Sequence, residues 1–156
     1  MRAPVEATAP ARFTTLPGWL ITQTAQHVHR LVSEGMAAVG ARGYHYRALA
    51  CLDEFGPASQ ADLGRRSGIH LSDLVATINE LEDQHLVERA PDPVDRRRNI
   101  ITITPAGRRR LRRLEKQLNR TQDELLAPLS PDERDQLTQL LRRVLDHHSS
   151  PDRVPR

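Results

Sequence analysis

Residues 86–107 read LVERAPDPVDRRRNIITITPAG, and the fold turns on what they form. The run Ile100–Thr104 is β-branched throughout and alternates in polarity, which predicts a strand. Leu86–Ala90 is a second short apolar run, separated from the first by two prolines, two aspartates and three consecutive arginines. Pro91 and Pro93 confine that middle segment to turn and loop conformations, because proline cannot donate into a central ladder. Two strands joined by such a loop make a β-hairpin with a basic tip, Asp95-Arg96-Arg97-Arg98. A tip of this kind has little reason to fold onto its own core. It is shaped to enter something narrow and negative.

Just upstream, Ser59-Gln-Ala-Asp62 has the spacing of a helix N-terminal box and predicts a short helix ending near Ser67-Gly68. After Ile69-His70 a longer helix is expected, from Leu71 to about His85. Its buried face reads as Leu71, Leu74, Val75, Ile78 and Leu81, and its free face as Ser72, Asp73, Ala76, Thr77, Asn79 and Glu80. A short helix, a turn containing glycine and a second amphipathic helix form the helix-turn-helix pattern. Many helical proteins match that pattern alone. The basic hairpin that follows at once makes it a winged helix-turn-helix.

Working outward, a long first helix is predicted from Leu16 to about Gly40, striped by Ile21, Ala25, Val28, Val32, Met36 and Val39. A helix so long, placed first, calls for a partner helix elsewhere in the chain or in a second subunit. Tyr44 to Phe55 is a second helix, stopped by Gly56-Pro57, with Ala48, Cys51, Leu52 and Phe55 on one face. On that face Cys51 reads most simply as a small apolar residue. Downstream, Thr104-Pro105 starts a helix striped by Leu111, Leu114, Leu118 and Leu125, and its first turns display Arg108–Arg113. Pro128 ends it, and Ser130-Pro-Asp-Glu133 is a capping box that restarts a last helix faced by Leu137, Leu140, Leu141, Val144 and Leu145. The expected fold is mainly α, about six helices, with a small β-hairpin wing.

A chain of 156 residues can bury a real core as one domain with an added helical layer. Aromatics are only 3% of it, so that core must be built from Leu, Ile, Val and Ala. No apolar run approaches the ~20 residues that span a bilayer, and the N-terminus lacks a signal peptide's apolar run. The single cysteine excludes an internal disulfide and fits a reducing cytoplasm. Residues 89–113 hold nine arginines against two aspartates, a net of +7, so with +3 overall the remainder carries −4. A concentrated basic segment on a mildly acidic body is the electrostatic footprint of a polyanion ligand. The chain shows no metal-ligand cluster, phosphate-binding glycine loop or framed nucleophile, so neither an enzyme nor a cofactor is expected, and His27 and His29 point to different faces.

With these stretches in hand, SQADLGRRSGI, HLSDLVATINELEDQHLVER, DPVDRRRNIITIT and TPAGRRRL, residues 16–148 resemble the MarR (multiple-antibiotic-resistance) family of bacterial transcription regulators. The Asp-x-Arg of the wing, Asp95-Arg96-Arg97, followed by a strand and T-P-x-G, carries the resemblance. It implies a homodimer joined through first and last helices, each subunit placing one helix in the major groove and its wing in the minor groove. Residues 1–15 then form a flexible arm, 16–43 a dimerisation helix, 44–107 the DNA-binding lobe, 108–148 further dimerisation helices, and 149–156 a disordered tail. It implies a ligand-responsive repressor on a palindromic operator, with DNA contacts expected from Ser59, Arg65, Arg66, His70, Ser72, Thr77, Asn79, Asp95, Arg96, Arg97 and Arg98. A small aromatic or phenolic effector is expected near Trp19, His27, Tyr44, His45 and Tyr46. The recognition helix departs from the family: it begins His70-Leu71-Ser72-Asp73, with no arginine and an acid in its first turn. Guanine readout by a bidentate arginine is therefore unavailable from it. Two other readings are a redox regulator sensing through Cys51 and a winged-helix adaptor for protein partners.

Overall fold

Seven helices and three short strands follow one another in a computed structural model that describes residues 10–149. In order they are α1 (Ala11–Thr14), α2 (Pro17–Ala38), α3 (Gly43–Phe55), β1 (Ala58–Ser59), α4 (Gln60–Ser67), α5 (Leu71–Asp83), β2 (Val87–Pro91), β3 (Asn99–Ile103), α6 (Pro105–Leu125) and α7 (Pro131–Ser149). The fold is a winged helix-turn-helix with flanking helices, as expected. Two details differ. Part of the expected arm is helical (α1), and Ser149 closes α7; residues 1–9 and 150–156, the rest of the arm and tail, lie outside the described residues.

The chain divides into one compact unit up to Thr121 and another from Gln122. The core of the first is built from Met36, Leu49, Leu52, Leu63, Leu74, Ile78, Leu81, Ile101 and Leu114, without an aromatic ring. The sheet order is β1-β3-β2, all antiparallel, with Ala58 opposite Ile101 and Val87 opposite Ile103. The sequence pattern did not announce β1, which is two residues long. Pro91 extends β2 opposite Asn99, a place open to proline because β2 is an edge strand.

Two junctions set the lobe. α4 ends at Gly68, whose φ of 63° lies in the left-handed region and turns the chain into α5. Arg47 of α3 donates to the Ser67 carbonyl at this turn, and buried Ile69 fills its inside. At the other end, Thr104 Oγ1 donates to the His85 carbonyl (2.8 Å) and accepts from Gly107 N–H (3.0 Å), so it caps α6 and holds the hairpin's root together. Gly107 packs so tightly there that an added Cβ would lie 2.1 Å from the Leu86 carbonyl oxygen.

In the second unit the predicted capping box forms: Ser130 N–H donates to Glu133 Oε2 (2.8 Å), and Glu133 N–H to Ser130 Oγ (3.3 Å). Arg134 closes the α6–α7 corner on the Leu126 and Leu129 carbonyls and on Asp123 (2.8 Å). None of the described residues of α7 is buried, and Leu140, Leu141, Val144 and Leu145 are open to solvent. Leu20 and Ile21 of α2, and Leu16 just before it, are exposed as well.

Candidate nucleic-acid interface

The wing tip is organised by its two aspartates. Asp92 Oδ1 accepts from Val94 N–H (2.8 Å), and Asp92 N–H donates to the Arg98 carbonyl (2.8 Å). Asp95 Oδ1 accepts from both the backbone N–H and Nε of Arg97, each at 3.1 Å. These are side-chain-to-backbone turns of the kind aspartate favours. The hydrogen bonds from Arg97, with Arg98 nearby, hold the Asp95 carboxyl below its ordinary range. It is thus a carboxylate at neutral pH, while the Arg97 side chain remains 89% exposed. Arg96 and Arg98 are exposed beside it.

On the helix-turn-helix, Arg65 pairs with Asp62, and the Arg66 guanidinium lies 5.2 Å over the Phe55 ring. Phe55 is accordingly on the surface and not on the buried face of α3. His70 stands at the N-cap position of α5 without a side-chain cap and is exposed, as are Ser72 and Asn79. Two expected contact residues are not available. Ser59 is 4% exposed, its Oγ accepting from Asp62 N–H (3.2 Å) and donating to the Asp62 carboxylate (2.8 Å), so it caps α4. Thr77 is also 4% exposed, its hydroxyl satisfied by the Asp73 carbonyl at 2.7 Å. Leu71 and Val75 make the opposite exchange: both were read as buried, and both face solvent. Asn79 Oδ1 accepts from Arg89, which also grips Glu82 (2.8 Å) and keeps that carboxyl below its ordinary range.

The Arg108–Arg113 cluster divides in two. Arg108 pairs with Asp53 (2.9 Å), and Arg110 donates to the Val39 (2.6 Å) and Gly40 (3.0 Å) carbonyls at the end of α2. Arg109, Arg112 and Arg113 are exposed.

A cleft of about 730 Å³ lies between α2 and the start of α3. Val28, Val32 and Ala41 form apolar walls, and Ser33, Arg42 and Tyr44 supply polar groups. His29 and Arg47 line it too, residues that spacing along the sequence did not single out. Of the expected effector residues only Tyr44 is there. Trp19 packs at a tilt against Phe13 (centroids 5.9 Å apart), His27 is exposed, and Tyr46 packs on the core, where burial raises the pKa of its phenol. His45 is buried, with Nδ1 accepting from Arg42 N–H (3.4 Å) and Nε2 set 2.6 Å from Glu80 of α5. That network is structural. The Arg42 guanidinium joins it, 3.2 Å from Glu80, while also lining the cleft.

Comparison with known proteins agrees with this geometry. Residues 40–98, from the end of α2 to the wing, match the model of the MarR family. A regulator of Bacillus subtilis, the uncharacterized HTH-type transcriptional regulator YxaD, is 31% identical over 99 residues, 64% of this chain and 69% of its own length. The chain belongs to the MarR family. It is thus a DNA-binding transcriptional regulator and not an enzyme. A second relative, a transcriptional regulatory protein for the hcr operon of Thauera aromatica, is 36% identical over 86 residues, and the match spans about half (52%) of its length. Among solved structures, the PcaV transcriptional regulator of Streptomyces coelicolor superposes with a TM-score of 0.71 at 30% identity, over 86% of this chain and 98% of that one. PcaV has also been solved with its natural ligand. No helix among the described residues of this MarR member is long and apolar enough to cross a membrane.

Proposed function

We propose that this MarR-family chain is a homodimeric repressor of a near-palindromic operator, acting in the cytoplasm and released by a small aromatic or phenolic effector. The observation that carries the reading is the wing tip: an exposed guanidinium held by a neighbouring carboxylate, on a hairpin rooted beside a helix-turn-helix. Arg97 is then positioned before it meets the minor groove, where narrowing deepens the negative potential. Arg65, Arg66, Arg96 and Arg98 contact phosphates, which fix register without specifying sequence. Residues 44–107 are the DNA-binding lobe; residues 16–43 and 108–148 form the dimer. Ligand binding falls to the α2–α3 cleft, whose apolar walls and few polar groups suit a small ring compound.

Operator affinity across a salt series tests the wing. Arg97→Ala should cost about 1–3 kcal/mol of specific binding and weaken discrimination for A·T-rich flanks. Arg109, exposed in the first turns of α6, is placed on phosphate alone in this reading, so Arg109→Ala should weaken all sequences alike and lower the salt slope by about one. Circular dichroism should show both variants folded, since both side chains face solvent. An Arg97→Ala protein that binds its operator like wild type removes the wing from the mechanism.

A further inference from the structure

The solvent side of α5 has a chemistry of its own. Leu71 (60% exposed) and Val75 (38% exposed) lie one turn apart on it, beside exposed Ser72 and Ala76. The helix sequence, LSDLVATINELED, contains no lysine or arginine. Thr77 is withdrawn into the core, and the Asn79 carbonyl oxygen is taken by Arg89, which spoils its two-point match to adenine. What this face offers is methyl groups.

We propose that Leu71 and Val75 read the operator through the C5-methyl groups of thymine. The inference rests on the DNA-binding reading above. Apolar side chains left in water gain only when they meet another apolar group, and the thymine methyl is the apolar group that base pairs present in the major groove. Leu71 opens the helix, and residues near a recognition helix's N-terminus are those that reach base edges. Four residues of helix rise about 6 Å, so the two side chains span up to two base-pair steps of about 3.4 Å. The occupant is a polyanion and not an apolar protein surface, because exposed arginines stand on α4 (Arg65, Arg66) and on the wing (Arg96, Arg97, Arg98) of the same lobe.

The test uses the full chain and duplexes enriched by it from a randomised pool. The enriched duplex is resynthesised with deoxyuridine in place of thymine, one position at a time, which removes a methyl group and leaves base pairing intact. Wild type should lose about fourfold in affinity at one or two positions per half-site, the worth of one buried methyl. A Leu71→Ala, Val75→Ala double variant should bind the thymine duplex more weakly and no longer distinguish it from the uracil duplex. Both side chains are exposed, so the variant should fold as wild type does. Equal wild-type affinity for thymine and uracil duplexes overturns the inference while leaving DNA binding standing. So does a double variant that keeps the discrimination, or one whose only change is in sedimentation, which would assign this face to a second copy of the chain. If the wild-type protein enriches no sequence at all, the DNA-binding reading falls and takes this inference with it.

Discussion

A threonine inside a helix can satisfy its hydroxyl without leaving the core, and Thr77 does so through the Asp73 carbonyl. Its withdrawal brings Leu71 and Val75 to the surface at the other edge of the apolar arc. Cys51 sits between the extremes: half-buried on α3, with desolvation pushing its thiol up from the ordinary range. A thiol kept protonated reacts slowly with oxidant. Cys51→Ser should therefore leave operator affinity, and its response to peroxide, unaltered. Affinity measured before and after peroxide for both proteins checks this; a wild-type loss absent from the variant would establish redox sensing. The residue scale was also where sequence reading failed most often. The pairing of Asp95 with Arg97 was legible, because two residues in a short loop have few other places to go. The capping role of Ser59 was legible too, and that role is what withdraws it from the DNA face; the fates of Thr77 and His45 were not, since each depends on a partner or a packing angle that periodicity does not encode. At residues 71 and 75 a 3.6-residue period marks an apolar arc, yet not how much of that arc a small lobe can cover.

Among the elements, the hairpin and the start of α6 behave as one piece. Thr104 ties the His85 carbonyl to the cap of α6, Thr104 N–H donates to the Leu86 carbonyl (3.1 Å), and Gly107 leaves room for that same oxygen. This is the physical content of the T-P-A-G run: cap, pre-set first turn, spacer and close approach. Gly107→Ala should destabilise the protein by about 1–3 kcal/mol or more, because the obstacle is backbone that cannot swing aside. Gly18→Ala is the control; its new methyl meets nothing within 4 Å, and the change should be neutral or slightly stabilising. Urea denaturation of both variants decides, and equal stabilities would show that the root can relax. The hairpin could be read from sequence because β-branched alternation and flanking prolines are local signals. Strand β1 could not, since two residues paired with Ile100 and Ile101 carry no period. The left-handed His85 (φ 57°) that turns α5 into β2 was equally silent, being neither glycine nor asparagine.

For the whole molecule, the exposed apolar residues of α2 and of α7 are the largest unexplained cost. Leu140, Leu141, Val144 and Leu145 follow one another along α7 at helical spacing, and Leu16, Leu20 and Ile21 cluster around the start of α2. An isolated chain leaves them in water; a dimer of the size expected for an obligate interface, above ~2,000 Å², would cover them. Sedimentation at micromolar concentration should show a dimer, and a Leu141→Asp, Leu145→Asp variant should be monomeric and lose operator affinity. A wild-type monomer would sink the dimer. If two recognition helices act together, half-site centres should lie roughly 10 bp apart, one turn of DNA. Inserting half a turn, about 5 bp, between the half-sites should then abolish tight binding. Unchanged affinity would show that each subunit binds alone.

The wing's aspartates have a consequence in time as well as in geometry. Three of the seven residues from Asp92 to Arg98 are arginine, yet the segment's net charge is only +1. A regulator searching a chromosome spends most of its life on wrong sites, sliding and hopping on phosphate contacts whose strength follows charge. If the wing docks as proposed, Asp95 mutes the tip and so shortens each of those stops without blunting the one guanidinium it aims. Asp95→Asn should therefore lengthen residence on random DNA and slow the approach to the operator, even where final occupancy changes little. Single-molecule dwell times on operator-free DNA would record it: a wing with more grip, and a slower search.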